Sequence, residues 1–170
     1  MRKTAILILF LLIVAIGFSQ NLRYVKGMNQ VRAGFESSFR GAGATLGYKR
    51  MITDKIMIGF HSGYENSIIK NTAYKETRFS VESGYRVFDA FESLFIMPFA
   101  GINTNIVNKV SEVESKSDTK PVFGNNIGLE VDYYFWENLS VYGRLEQRIG
   151  YINGNHHIFI SEIGISLSFY

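Results

Sequence analysis

The stretch FGNNIGLEVDY, residues 123–133, alternates apolar side chains with glycine, asparagine and carboxylates. Successive side chains of an extended strand point to opposite faces, so this pattern puts the two kinds of residue on different faces. The apolar face consists of Phe123, Ile127, Leu129, Val131 and Tyr133. Alternation with period two over this length predicts a β-strand whose two faces meet different environments.

The same alternation recurs along the chain after residue 20. It predicts eight strands, at 30–36, 41–49, 55–61, 76–87, 94–103, 123–133, 139–151 and 159–169. The stretch at 94–103 is apolar on both faces, so its register stays open. No segment after residue 20 has a convincing helical period, and the fold class is therefore all-β.

The connections between these strands differ in length. Short turns are expected at 52–54, 89–93 and 136–138, longer polar loops at 65–72 and 108–120, and a tight glycine-containing connection at 152–155. Alternating short and long connections are typical of an up-and-down barrel that crosses a membrane, with short periplasmic turns and longer outer loops. The pattern therefore assigns 65–72 and 108–120 to the outer side.

The first 19 residues have the features of a secretory signal. Arg2 and Lys3 precede an apolar run from Ala5 to Ile16, and Gly17-Phe18-Ser19 provides a cleavage site with small residues. The alternative is an uncleaved membrane anchor, but the run is shorter than the ~20 residues that a bilayer span needs. The sequence therefore predicts a signal peptide at 1–19 and a single barrel domain at 20–170.

Composition and charge exclude several classes of protein. The 170-residue chain is 46% hydrophobic and 15% aromatic and has no cysteine, which excludes a disordered segment, a disulfide framework, a thiolate metal site and a lipoprotein anchor. Its formal charge of +3 comes from 18 basic and 15 acidic residues. Loss of Arg2 and Lys3 leaves 16 basic residues against 15 acidic ones, or +1. Without a basic stripe, no direct nucleic-acid binding is expected.

The polar faces decide between a membrane barrel and a soluble barrel or sandwich. They mix glycine and serine with charges of both signs, and the lumen of an eight-stranded barrel is just wide enough to be filled by such side chains. Aromatic residues recur near predicted strand ends, where an interfacial girdle lies: Tyr48, Tyr64, Tyr85, Phe135, Tyr151 and Phe169. We predict an eight-stranded antiparallel up-and-down transmembrane β-barrel with a polar, side-chain-filled lumen, in the outer membrane of a Gram-negative bacterium. A soluble secreted lipocalin-like binding protein is the alternative.

The charged residues on the polar faces are the candidate site. They are Arg32, Glu36, Arg78, Glu82, Arg86, Glu130, Asp132, Arg144, Glu146, Arg148 and Glu162. We interpret them as a lumen ion-pair network, because unpaired buried charges are costly. The alternative interpretation of the charges at 130–132 and 144–148 is an acid–base pair or a selectivity ring.

Catalytic, metal and cofactor sites are not predicted. His61 and Ser62 are adjacent and point to opposite faces of a strand, so His61 is expected to form hydrogen bonds in the lumen. His156 and His157 are expected in an exposed loop; the alternatives are a metal site formed by the two histidines or a hydrolytic site with Ser161 and Glu162. The enzyme hypothesis is a lipid-modifying acyl hydrolase or transferase on the same barrel.

The ending Leu167-Ser168-Phe169-Tyr170 resembles the C-terminal signature of outer-membrane β-barrel proteins, which implies recognition by the barrel-assembly machinery. The chain also resembles the TraO proteins of conjugative transposons. The matching stretches are Ser19-Gln20, Tyr74-Lys75-Glu76, Val81–Tyr85, Phe123-Gly124, Leu129–Tyr133 and Gly164–Phe169. The resemblance implies a non-enzymatic component of a DNA-transfer apparatus, surrounded by outer-membrane lipid, that meets other envelope or conjugation proteins through the loops at 65–72 and 108–120.

Overall fold

Strands account for nearly all of the described chain. The computed structural model describes residues 25–69, 72–90, 93–110, 120–150 and 156–170. Its strands are β1 (Asn29–Ser38), β2 (Gly41–Met51), β3 (Ile56–Ile69), β4 (Thr72–Tyr85), β5 (Phe88–Ala90), β6 (Leu94–Val110), β7 (Lys120–Tyr134), β8 (Leu139–Gly150) and β9 (His156–Phe169). No helix in this part of the chain has the length and apolar character that a membrane-spanning helix needs. The predicted signal at 1–19 lies outside the described residues.

Eight long antiparallel strands close into a barrel within the described residues. Each pairs with its neighbour in the chain, β4 pairs with β6, and the first strand pairs with the last through Asn29 opposite Phe169. The short β5 pairs only with β6, in the connection that follows β4. The predicted eight-stranded up-and-down barrel is therefore confirmed.

The two ends of the barrel differ in what they carry. Both described termini and the connections 52–55 and 135–138 lie at one end, which we call the terminal end. At the other, distal end the chain passes from β1 to β2 through Phe39 and Arg40 alone. The predicted tight connection at 152–155 lies outside the described residues; Gly150 and His156, which flank it, pair with each other at this end.

The predicted boundaries of the two long loops were wrong. Residues 65–69 continue β3 and Thr72 begins β4, with pairing that extends to Ile69 opposite Thr72. Residues 108–110 likewise continue β6, and Lys120 begins β7; residues 70–71 and 111–119 are not described. Polar side chains are common to solvated loops and to the inner wall of a barrel, so polarity alone could not distinguish the two.

The outer surface of the barrel is apolar. Leu145 and Ile163 are 64% and 62% exposed, whereas Arg32 and Glu130 are 2% and 0% exposed. A soluble barrel has the opposite polarity, so the lipocalin-like alternative was wrong. With apolar side chains outside and a polar interior, the outer surface is suited to lipid. Further exposed apolar side chains include Val31, Phe35, Leu46, Ile58, Val81, Ile102, Ile127, Leu129, Ile165 and Leu167.

Four of the six aromatic side chains predicted for the girdle are exposed on the outer surface. Tyr48, Tyr85 and Phe169 are exposed near the terminal end, and Tyr64 is exposed in the distal half of β3. Phe135 is half-buried in the connection after β7, and Tyr151 lies outside the described residues. Aromatic rings at these heights suit the boundary between lipid tails and water.

The structure settles the register of the strand at 94–103. Phe95, Met97 and Phe99 point inward and are buried, and Pro98 points outward. Pairing between β4 and β6 ends at Gly84 opposite Phe99, one residue short of Pro98. The missing N–H of Pro98 therefore interrupts no ladder on that side.

An apolar plug closes the terminal end of the lumen. It consists of Met28, Met51, Met57, Phe95, Met97, Phe99 and Tyr134, all buried. The chain has five methionines, and every one except Met1 belongs to this plug. Unbranched thioether side chains fill irregular space, which suits the converging ends of five chain segments: the residues before β1, and β2, β3, β6 and β7. Polar side chains border the plug on one side, where the Tyr134 hydroxyl lies 3.0 Å from Gln30 Nε2 and 2.8 Å from Ser168 Oγ.

The charged lumen as the candidate functional site

Glycines on the inner wall make room for long charged side chains. A Cβ on Gly63 would lie 3.0 Å from Glu36 Oε1 and 3.2 Å from Arg78 Nη2. A Cβ on Gly47 would lie 3.3 Å from His61 Cδ2 and 3.7 Å from Arg32 Cδ. Glycine therefore alternates with charged residues along the sequence because long charged side chains pack over the glycines of neighbouring strands.

Glu130 is the centre of the first charged group. Arg32 Nη1 donates to Glu130 Oε2 at 2.6 Å, and Arg32 Nη2 lies 3.3 Å from Asp132 Oδ1. Lys49 Nζ contacts the same Glu130 oxygen and lies 4.0 Å from Glu82 Oε1. Two cations from β1 and β2 thus meet carboxylates of β7 across the lumen.

Arg144 holds the second group together. Its Nη1 and Nη2 donate to the two oxygens of Glu82 at 2.8 and 2.6 Å, a bidentate pair. The same guanidinium binds Glu146 Oε2 at 2.6 Å, and Arg148 contacts the other Glu146 oxygen. Its carbon Cζ lies 3.9 Å from the centre of the Phe99 ring. The ionic layer therefore rests directly on the apolar plug.

Glu162 accepts hydrogen bonds from three strands. Thr45 Oγ1 and Tyr142 Oη donate to its Oε1 at 2.6 and 2.5 Å, and His61 Nε2 lies 3.2 Å from its Oε2. The predicted lumen hydrogen-bonding role of His61 is confirmed. Arg32 stacks over the Tyr142 ring at 3.6 Å, which connects this group to Glu130.

Arg78 is surrounded by carboxylates in the distal part of the lumen. It contacts Glu36, and its Nη1 lies 2.6 Å from Glu65 Oε2 and 3.5 Å from Glu76 Oε1. Ser38 Oγ donates to the other Glu65 oxygen at 2.8 Å. Three acidic residues thus share one cation near the distal mouth.

The candidate enzyme residues are not brought together. Ser62 points away from the lumen, and Ser80, opposite His61 on β4, forms no hydrogen bond with it among the described residues. Ser161 is exposed on the outer face, whereas Glu162 points inward. His157 is exposed and lies 3.3 Å from Gln147, and the side chain of His156 is not described. No nucleophile–base pair results from these positions.

Most of the charged residues named from the sequence point into the lumen. Arg86 lies beyond β4 at the terminal end, is half-buried, and has its Cζ 5.8 Å from the ring centre of Phe95 in the plug. Sequence reasoning also left out Lys49, Glu65 and Glu76. The alternation of their strands places Lys49 and Glu76 on the polar faces, although neither was included among the lumen charges, whereas Glu65 was assigned to a loop.

The interior contains more acidic than basic residues within the described chain. The buried cations are Arg32, Lys49, Arg78, Arg144 and Arg148, five in all. The buried acids are Glu36, Glu65, Glu76, Glu82, Glu130, Asp132, Glu146 and Glu162, eight in all. No group of three or more His, Asp or Glu side chains in this part of the chain is arranged to hold a metal ion. The partners of these carboxylates are therefore the guanidinium, ammonium, hydroxyl and imidazole groups around them.

Solved structures with this fold are outer-membrane proteins. The N-terminal β-barrel domain of Pseudomonas aeruginosa OprF superimposes with a TM-score of 0.72 at 15% identity, over 85% of this chain and 98% of that one. OprG of the same organism gives 0.67 at 12% identity, over 88% and 99%. Neisserial surface protein A gives 0.64 at 12% identity, over 83% and 94%. No family model matches the sequence, and a search of curated proteins finds no match. The chain therefore has the fold of the small eight-stranded outer-membrane β-barrels, in agreement with the location predicted for it.

Proposed function

We propose that this protein is a non-enzymatic envelope protein whose barrel is an occluded scaffold. The filled lumen carries the proposal. Its terminal end is closed by the methionine and aromatic plug, and the layer above it is cross-linked by Arg32, Lys49 and Arg144. A continuous pore requires several of these side chains to leave their partners.

The electrostatic cost of such a rearrangement is high. Removing one member of a buried ion pair costs about 3–5 kcal/mol, because its partner is left as an uncompensated charge. A single carboxylate, that of Glu130, contacts both Arg32 and Lys49. The closed arrangement is therefore the stable one, and function is assigned to the surfaces of the barrel.

Conductance measurements test the occluded lumen. The purified protein is reconstituted in planar bilayers, and we expect no large stable conductance. Met57→Ala combined with Met97→Ala thins the plug and serves as the lumen variant, and Leu145→Ala on the lipid-facing surface is the matched control. A large, stable open state of the unmodified protein would contradict the proposal.

The distal end is the proposed outer surface. Outward-facing side chains at this end include polar ones, with Ser37, Asn66, Lys75, Asn125 and Ser161 exposed beside the exposed rings of Phe39, Phe123 and Phe159. The strands therefore extend beyond the apolar band, and the segments around 65–72 and 108–120 are available to partners outside the membrane. Since the chain has no cysteine, Phe39→Cys and Trp136→Cys can be labelled on whole cells with an impermeant maleimide. We expect Phe39→Cys to react and Trp136→Cys to stay protected.

The proposed process is conjugative DNA transfer, and its support is the resemblance to TraO proteins in the stretches quoted above. The chain would act there as an envelope component, in outer-membrane lipid, assembled through recognition of its C-terminal strand. Deletion of its gene in a host that carries the element should lower transfer frequency, and restoration of the gene should recover it. Unchanged transfer would reject the role in conjugation and leave the occluded barrel untouched.

A further inference from the structure

Three exposed basic residues surround the connection between β2 and β3 at the terminal end. Hydrogen bonds from main-chain N–H groups fix their positions. The N–H of Gly27 donates to Met51 O at 2.8 Å, and the main-chain N–H of Lys26 donates to Asp54 Oδ1 at 2.9 Å. Gly27 has a φ of 92°, a conformation that other residues rarely adopt and that turns the preceding chain toward this connection. Thr53 Oγ1 accepts the N–H groups of residues 55 and 56 at 3.2 and 2.9 Å. Lys26, Arg50 and Lys55 are therefore held around one ordered turn, which we call the basic corner.

The cations of the basic corner differ from those of the lumen. Every buried cation of the described lumen contacts a carboxylate, but no ion pair within the described residues includes Lys26, Arg50 or Lys55. Asp54 lies in the same turn and accepts the backbone N–H of Lys26, so three cations and one carboxylate leave the corner with a formal charge of +2. The positive charge of this corner is therefore available to an anion outside the protein.

The basic corner lies at the edge of the apolar outer surface. Arg50 follows Tyr48 on the outward face of β2, and the Tyr48 hydroxyl donates to Asn29 Oδ1 at 2.6 Å. Ile56 and Ile58, on the neighbouring strand, are 40% and 48% exposed. Apolar surface for acyl chains is therefore continuous with positive charge at the height where a girdle tyrosine marks the lipid boundary.

We propose that the basic corner binds the phosphate of an anionic phospholipid whose acyl chains lie against Ile56 and Ile58. Lysine and arginine near a membrane surface attract anionic headgroups, and three of them act on the same phosphate region. A soluble acidic partner would use the charge but not the adjoining apolar surface. The site rests on the membrane placement proposed above, and the orientation proposed there puts it in the periplasmic leaflet.

Lipid selectivity tests the basic corner. The full mature chain is reconstituted in phosphatidylcholine vesicles that contain trace spin-labelled phosphatidylglycerol or, separately, spin-labelled phosphatidylcholine. Electron paramagnetic resonance gives the relative association of the two lipids with the barrel. We expect the anionic lipid to associate more strongly, with a preference that falls as salt is raised.

The informative variants remove charge while keeping side-chain length. Lys26→Gln/Arg50→Gln/Lys55→Gln should lose most of the preference, roughly fivefold for each cation at low salt. Lys75→Gln, on the outward face of β4 at the distal end, is the matched control and should leave the preference intact. A heat-dependent shift in gel mobility verifies that each variant is folded. Equal association of the two lipids with the unmodified protein, or the same loss in Lys75→Gln as in the triple variant, would overturn the proposal. Neither result depends on whether the lumen conducts.

Discussion

The substitution Gly164→Ala tests how tightly Tyr142 is held in the lumen. Tyr142 lies opposite Gly164 in the β8–β9 pairing, and its ring covers the glycine. A Cβ on Gly164 would be 2.4 Å from the backbone oxygen of Ala33 and 2.6 Å from Cε1 and Cζ of that ring. The ring cannot retreat freely, because Arg32 stacks on it at 3.6 Å and its hydroxyl binds Glu162 at 2.5 Å.

The expected cost is large for a single methyl group. Overpacking costs about 1–3 kcal/mol, and a hydrogen bond to a charged group contributes about 1.5–3 kcal/mol. Because the ring must move to relieve the contact, we expect Gly164→Ala to lower the free energy of unfolding by about 3 kcal/mol. Gly143→Ala is the matched control, since a Cβ there meets nothing within 4 Å. It should change stability by less than about 0.5 kcal/mol.

The assay is urea unfolding in lipid vesicles, followed through the fluorescence of Trp136, the only tryptophan of the chain. The double variant Gly164→Ala/Tyr142→Ala removes the clashing ring but keeps the contact with the Ala33 oxygen, so Gly164→Ala should cost less in the Tyr142→Ala background than in the unmodified protein. Equal stability of Gly164→Ala and Gly143→Ala would refute the proposed packing of Tyr142 against Gly164.

Three further predictions concern the interior, the lipid-facing surface and the plug. Glu130→Ala leaves Arg32 and Lys49 short of a partner and should cost about 3–5 kcal/mol in the same unfolding assay, whereas Asp54→Ala, in an exposed turn, should have a much smaller effect. Leu145→Arg places a charge among lipid tails and should cost about 2–4 kcal/mol, with lower yield of heat-modifiable protein; an unchanged yield and stability would argue against a lipid-facing position. Met97→Asn puts an amide into the apolar plug and should both destabilise the barrel and raise its conductance in planar bilayers.

The occluded lumen and the basic corner are independent conclusions. The first rests on buried ion pairs that fill the lumen, so it concerns the absence of a path for ions through the barrel. The second rests on exposed cations that the described chain leaves unpaired. A barrel of this size can therefore interact with its surroundings at its rims while its interior contributes stability.

Much of the fold followed from the period of the sequence alone. Side chains of a strand alternate between two faces, so residues 123–133 assigned Glu130 and Asp132 to one environment and Leu129 to the other without any knowledge of neighbouring strands. The mixture of charge and glycine on one face then indicated a polar interior. Residues 94–103 resisted this reasoning, because apolar residues occupy both faces where the plug replaces the charged layer.

The tertiary structure decided which charges meet. Arg32 contacts Glu130 from 98 residues away, and Arg144 contacts Glu82 from 62 residues away. These partners depend on barrel closure, because the pairing of β1 with β9 and of β4 with β6 sets which side chains face each other across the lumen. Alternation within one strand contains no information on which side chains face each other across the lumen. Lys49 and Glu76 could therefore be placed on the inner face but not given a partner.

The sequence by itself determined the strand class, the inward and outward faces and the inverted polarity, since each depends only on a strand's own period. Only the folded barrel placed four methionines in one plug, set Arg86 beside the Phe95 ring of that plug and gathered Lys26, Arg50 and Lys55 around one turn. Those arrangements depend on where strands end relative to one another, and that is fixed by hydrogen bonds between strands.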